Sequence, residues 1–136
     1  MIETIGEVRE HVLWNVNYQL QELTRKATAY ENGQQGLGGL GLRQAWASFR
    51  LAQLRPKILW WSEIKMAIES DEPSRAMAAL ERLIRHYRPS KFYLTWVAPF
   101  SQSYWEMGMG LIAKAVVSEN IHEATVLQEH YRQQAA

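Results

Sequence analysis

Apolar residues return every third or fourth position along most of the chain, the repeat that gathers side chains on one face of a helix. Ile5, Val8, Val12, Val16, Leu20, Leu23, Ala27 and Tyr30 form the first such series. Thr4 and Glu7 open it in the form of a capping box, a Thr hydroxyl for an orphan backbone N–H and a Glu three residues later. The spacing predicts a helix over residues 4–31. Residues 32–41 then hold five of the eight glycines and predict a Gly-rich connection. Helical spacing resumes through Leu42, Trp46, Phe49, Gln53, Trp60, Ile64 and Ala67. Pro56 lies inside that series, so it predicts one kinked helix or two helices with Pro56 in the first turn of the second.

Ser70-Asp71-Glu72-Pro73-Ser74 reads as a turn that starts a helix, with Asp71 as its cap. Ala76, Leu80, Leu83, Ile84 and Tyr87 make the next buried face, and Pro89 is expected to end that helix. Residues 92–97 are rich in β-formers, which leaves a short strand open; the helical surroundings favour a helix. Beyond Pro99 the series Phe100, Tyr104, Met107, Leu111 and Ala115 continues the period, and Ser118 is placed as the cap of a final helix with Ile121, Ala124, Leu127 and Tyr131. The prediction is an all-α, single-domain bundle of about five or six helices spanning residues 1–136, with residues 133–136 as a frayed tail.

Composition adds a core and removes some chemistry. Hydrophobic residues make up 47% of the 136 positions, with 15 aromatics, ample for a buried interior. Cysteine is absent, which excludes disulfides, thiolate metal sites and a Cys nucleophile and suits a reducing, cytoplasmic setting. No basic n-region with an apolar block follows Met1, so no secretory leader is expected. Residues 92–117 are the best candidate span, but Ser101, Gln102, Ser103, Glu106 and Lys114 interrupt them, and no membrane partner is expected.

The net charge of +1 conceals a basic middle: −3 over residues 1–24, +6 over 25–91 and −2 over 92–136. Arg43, Arg50 and Lys57 recur at intervals of seven, and no acid falls between Glu31 and Glu63. With Arg55 they form one basic group; Arg82, Arg85, Arg88 and Lys91 form a second in an acid-free span that ends at Glu106. Arginine predominates, and its planar fork suits phosphate. These eight cations are the candidate nucleic-acid-binding residues, acting on backbone phosphate without reading sequence. The competing reading is a solvated face balanced by the acidic ends of the chain. Trp60 and Trp61, about 100° apart on a helix, are the candidate partner-binding residues.

Catalytic arrangements are not apparent. Asp71 is the only Asp, there is no Gly-x-Ser-x-Gly elbow, and His11, His86, His122 and His130 lack His-Glu-x-x-His spacing. Glu119-x-x-His122 supplies half of a two-metal carboxylate motif without its second copy. The Gly-rich stretch has neither a preceding strand nor a Gly-Lys-Ser/Thr, so a phosphate loop is disfavoured. A non-catalytic chain without metal or cofactor is expected.

Leu54-Arg55-Pro56-Lys57-Ile58-Leu59-Trp60 resembles the Leu-Lys-Pro-Lys-Leu-aromatic stretch of the small helical subunit of type III CRISPR effector complexes. The aromatic-rich residues 92–114, with Trp105-Glu106 and closing Ala113-Lys114, resemble that family's last helix, so the likeness covers residues 42–115. It departs where Ser62-Glu63-Ile64 stands in place of the family's Gly-Arg, and residues 118–136 have no counterpart. The resemblance implies a structural subunit of an antiviral-defence ribonucleoprotein. Such a subunit is present in several copies and touches guide RNA, or its RNA or DNA duplex with the target, through phosphates, with Arg55 and Lys57 as the residues carried over. The alternative is a helical protein-binding adaptor or assembly chaperone, its phage origin left open, with no nucleic-acid role.

Overall fold

The computed structural model describes residues 4–34, 41–97 and 104–135, and every element among them is helical: α1 (Ile5–Gln34), α2 (Gly41–Glu69), α3 (Pro73–Trp96) and α4 (Tyr104–Ala135). No strand occurs among the described residues, so the all-α expectation holds, with four helices where the spacing predicted five or six. Gly-rich positions 35–40, Pro99 and Phe100 lie outside the described residues, as do the side chains of Tyr104 and Met107. No described helix is long and apolar enough to cross a membrane.

The count falls because two expected stops are passed. Pro89 was expected to end its helix, and α3 instead continues to Trp96, closing with a Val97 N–H to Tyr93 carbonyl bond of 2.9 Å. Proline removes one hydrogen bond and frees the carbonyl four residues back. Pro89 and Arg85 are both exposed, so water can take that carbonyl and the helix survives. Pro56 is likewise exposed inside an unbroken α2. Ser118 was expected to cap a separate helix, but α4 runs straight through it. Serine inside a helix costs only a fraction of a kcal/mol, about 0.5, and no Pro follows Pro99. Residues 92–96 are helical, and α4 carries residues 133–135 of the expected tail.

Contacts divide the chain into two compact units, Met1–Val12 with Ala67–Ala136, and Leu13–Met66. The first is built on α3 and α4, which pack antiparallel: Gln128 Nε2 donates to the Met77 carbonyl at 3.4 Å, and further along Tyr87 senses the charge of Glu123. Its buried side chains are Val8 and Val12 of α1, Ile68 of α2, Ala76, Ala79, Leu80, Leu83 and Ile84 of α3, and Ala124, Leu127 and Tyr131 of α4. The second unit clusters Ala27, Leu51 and Leu54 with the partly buried Leu23, Tyr30 and Ile58. Val16, Ala47, Trp61 and Ile64 are also buried there.

Polar contacts fasten the first unit at its helix ends. Thr4 accepts the Glu7 N–H on Oγ1 at 3.2 Å, the hydroxyl half of the expected capping box. Asp71 was placed as the cap of α3, but the N-cap is Glu72, extended and without a side-chain bond, with Pro73 entering the first turn. Asp71 instead closes α2. It holds a left-handed backbone (φ 55°), a conformation that Asp tolerates better than most residues, and donates its N–H to the Ile68 carbonyl at 3.3 Å. Its carboxylate is thereby turned toward Arg9 and Tyr131. Oδ1 accepts the Tyr131 hydroxyl at 2.9 Å and pairs with Arg9 Nε at 3.1 Å. Arg9 Nη2 also donates to the Ile68 carbonyl at 3.4 Å, a cation on an orphan acceptor at a helix C-terminus. One aspartate thus ties α1, the α2–α3 turn and α4 together.

Glu123 is the buried charged residue among those described, and its Oε1 lies 3.2 Å from His11 Nδ1. Burial, and secondarily the Glu123 charge, push the Tyr87 phenol up to about 12 from 10.0. The folded chain therefore favours neutral Tyr87, and that contribution is complete below pH 10 and lost as pH climbs through about 12. Denaturant titrations should show about 2 kcal/mol of stability disappearing over that interval. Tyr87→Phe should flatten the loss; an unchanged slope in that variant would place its origin elsewhere.

Candidate functional site

On α2 the buried positions are Ala47, Leu51, Leu54, Trp61, Ile64 and Ile68, with Ile58 partly buried. They recur at steps of three and four without a polar interruption. The stripe expected from the sequence, Leu42, Trp46, Phe49, Gln53, Trp60, Ile64 and Ala67, faces outward over its first half, where Leu42 is 82% exposed, Trp46 58% and Phe49 54%, and turns inward only at its end, where Ile64 is buried. The two series share Ile64 and diverge before it; over residues 42–54 the helix buries Ala47, Leu51 and Leu54, and the positions that include Gln53 stay outside. The signal was present in the chain, since only the Ala47 to Ile68 series lacks a polar member.

This rotation sets the cations. At about 100° per residue, Arg43, Arg50 and Lys57 line one flank of α2, about 10 Å apart along the axis, and Trp46 and Phe49 lie beside them on the outward side. Arg55 stands about 160° from Lys57 and does not join them. Among the described residues, neither Arg43, Arg55 nor Lys57 has a carboxylate within ion-pairing distance, and residues 41–62 contain no acid.

Arg50 is held without being neutralised. Its Nε donates to Tyr30 Oη at 3.3 Å and its Nη1 to Gln53 Oε1 at 3.0 Å. The guanidinium carbon lies 5.8 Å from the ring centroids of both Tyr30 and Trp46. Trp46 and Phe49 meet with centroids 5.9 Å apart and planes tilted by 34°. Every partner is neutral, so the charge is fixed in position and remains available to an anion.

The other basic group belongs to α3. Arg82, Arg85, Arg88 and Lys91 are all exposed, and Arg85 Nη2 pairs with Glu81 Oε1 at 3.0 Å on the same helix. Residues 41–66 and α3 belong to different compact units. Trp60 and Trp61 meet edge to face at 4.9 Å; Trp61 is 5% exposed and Trp60 half-buried. The pair therefore packs inward. Among the described residues, the exposed tryptophans are Trp14, Trp46 and Trp96.

Two further features are structural in character. A cavity of about 320 Å³ is lined in part by Ile5, Arg9, Asp71, His130 and Tyr131, where the charges of Arg9 and Asp71 already satisfy each other. Glu119 and His122 are both exposed, and no group of three or more potential metal ligands occurs among the described residues.

Compared with protein-family models, curated proteins and solved structures, the chain matches none.

Trp61→Ala should cost about 3–5 kcal/mol in chemical denaturation because it empties a core position. Trp46→Ala should change stability by no more than about 0.5 kcal/mol. Equal losses would mean that the two rings are not divided between core and surface.

Proposed function

We propose that the chain is a non-catalytic helical subunit that associates with nucleic acid through backbone phosphates, the α2 flank of Arg43, Arg50 and Lys57 being its principal contact. The observation that carries this reading is the acid-free run of residues 41–62, with Arg43 and Lys57 exposed, Arg50 half-buried beside them, and no carboxylate partner for the three among the described residues. Ordinary surface arginines sit beside acids, as Arg25 does with Glu22 and Arg132 with Glu129, both at 2.9 Å. Three cations on one flank without such partners form a local positive potential, the electrostatic footprint of a polyanion binder. The resemblance at Leu54 to Trp60 gives the specific setting: a small subunit of a CRISPR-type ribonucleoprotein effector, present in several copies and lying on guide RNA or its paired target. In that setting Lys57 contributes to the α2 flank, and Arg55 reaches a different neighbour.

The second reading is a protein-binding adaptor. It is favoured by the far end of the α3–α4 pair, where Phe92, Tyr93 and Trp96 on α3 and Ile112 and Val116 on α4 are exposed. A subunit of a larger assembly needs such a protein contact in addition to RNA. The two readings separate on whether the purified chain binds RNA at all.

Charge reversal at Arg43, Arg50 and Lys57 together should weaken RNA binding at least about tenfold on every sequence tested, with helix content unchanged by circular dichroism. Undiminished affinity in a folded triple variant would remove the nucleic-acid reading and leave the adaptor.

A further inference from the structure

Phosphate binding alone does not account for the side chains beside the cations. Leu42, Trp46 and Phe49 each leave more than half of their surface in water, next to cations that need no apolar company to hold a phosphate. Exposed rings of this size become useful when something flat covers them. Trp14 and Tyr18 of α1 also stack, with centroids 5.7 Å apart, but no Lys or Arg lies between Arg9 and Arg25. On α2, exposed rings in contact with each other stand beside an acid-free cationic flank, and one of its cations is held against a ring.

Resting on the phosphate-binding reading, we infer that the α2 face takes unpaired nucleotides: bases stack on Trp46 and Phe49 while Arg43, Arg50 and Lys57 hold the adjoining phosphates. In a duplex the bases are stacked on one another and their faces are out of reach, so rings on a protein gain nothing from it. In a single strand each base can give its face to an aromatic ring whatever its identity. The 34° tilt between Trp46 and Phe49 leaves their outer faces turned in different directions, which suits two bases splayed from one strand. Arg50, braced by Tyr30 and Gln53, stays beside Trp46 and can meet the phosphate joining them. Charge complementarity selects this occupant over an apolar protein helix, which would leave the flank of cations unmatched.

The test measures affinity of the full-length chain for oligouridine and for a mixed-sequence RNA duplex, by fluorescence anisotropy at one salt concentration. Trp46→Ala and Phe49→Ala should each lower the ratio of single-strand to duplex affinity at least about tenfold. Trp46→Phe, which keeps a flat ring, should restore most of it. If the ratio does not move in the alanine variants while charge reversal at Arg43, Arg50 and Lys57 still weakens both RNAs, base stacking is wrong and the phosphate reading stands. If the unaltered chain binds neither RNA, both are wrong.

Discussion

Burial of Leu51 and Leu54 against Ala27 and Leu23 fixes the rotation of α2 about its own axis, and the character of its outer surface follows from that contact. Leu51 is almost wholly removed from water, and burying a leucine contributes about 2 kcal/mol, enough to select one face of a helix over another. Once those residues point inward, Arg43, Arg50 and Lys57 must run along one flank, and Trp46 and Phe49 must stand outside. Among the described residues, none of Arg43, Arg50 and Lys57 forms an ion pair with an acid. The basic character is therefore a consequence of helix rotation as much as of composition.

The two compact units use charge in opposite ways. In the first, Arg9, Asp71 and Tyr131 spend their polar groups on one another and on the end of α2, and Glu123 meets His11. These are structural fastenings, and their chemistry is already engaged. In the second, Arg50 is positioned by neutral groups alone, which orders the half-buried guanidinium without neutralising its charge. A group that is ordered and still charged loses less conformational freedom when an anion arrives, which is the physical sense in which it is prepared for a ligand.

Much of this was legible in the chain. The valines and leucines of α1 predicted its length to within a few residues, and Val8, Val12, Val16 and Ala27 are buried as their spacing requires. The basic middle was visible from the order of charges alone. What failed did so for local reasons. Pro89 and Ser118 look like stops in a one-dimensional reading, but a solvent-facing proline forfeits one bond that water replaces, and a serine inside a long helix is tolerated. Asp71 looked like a cap for α3 because only its neighbours in sequence were visible; its partners Arg9 and Tyr131 are about 60 residues away on either side. The exposed rings of α2 were hidden because two stripes on one helix both looked like core, and only the packing of α1 decides between them.

The central claim is that an ordered, unneutralised cationic flank meets phosphate, and the salt dependence of RNA binding tests it most directly. With three phosphate contacts on a single strand, the logarithm of the association constant should fall linearly against the logarithm of salt concentration, with a slope of about −2. A slope near zero, or no measurable binding at low salt, would contradict it.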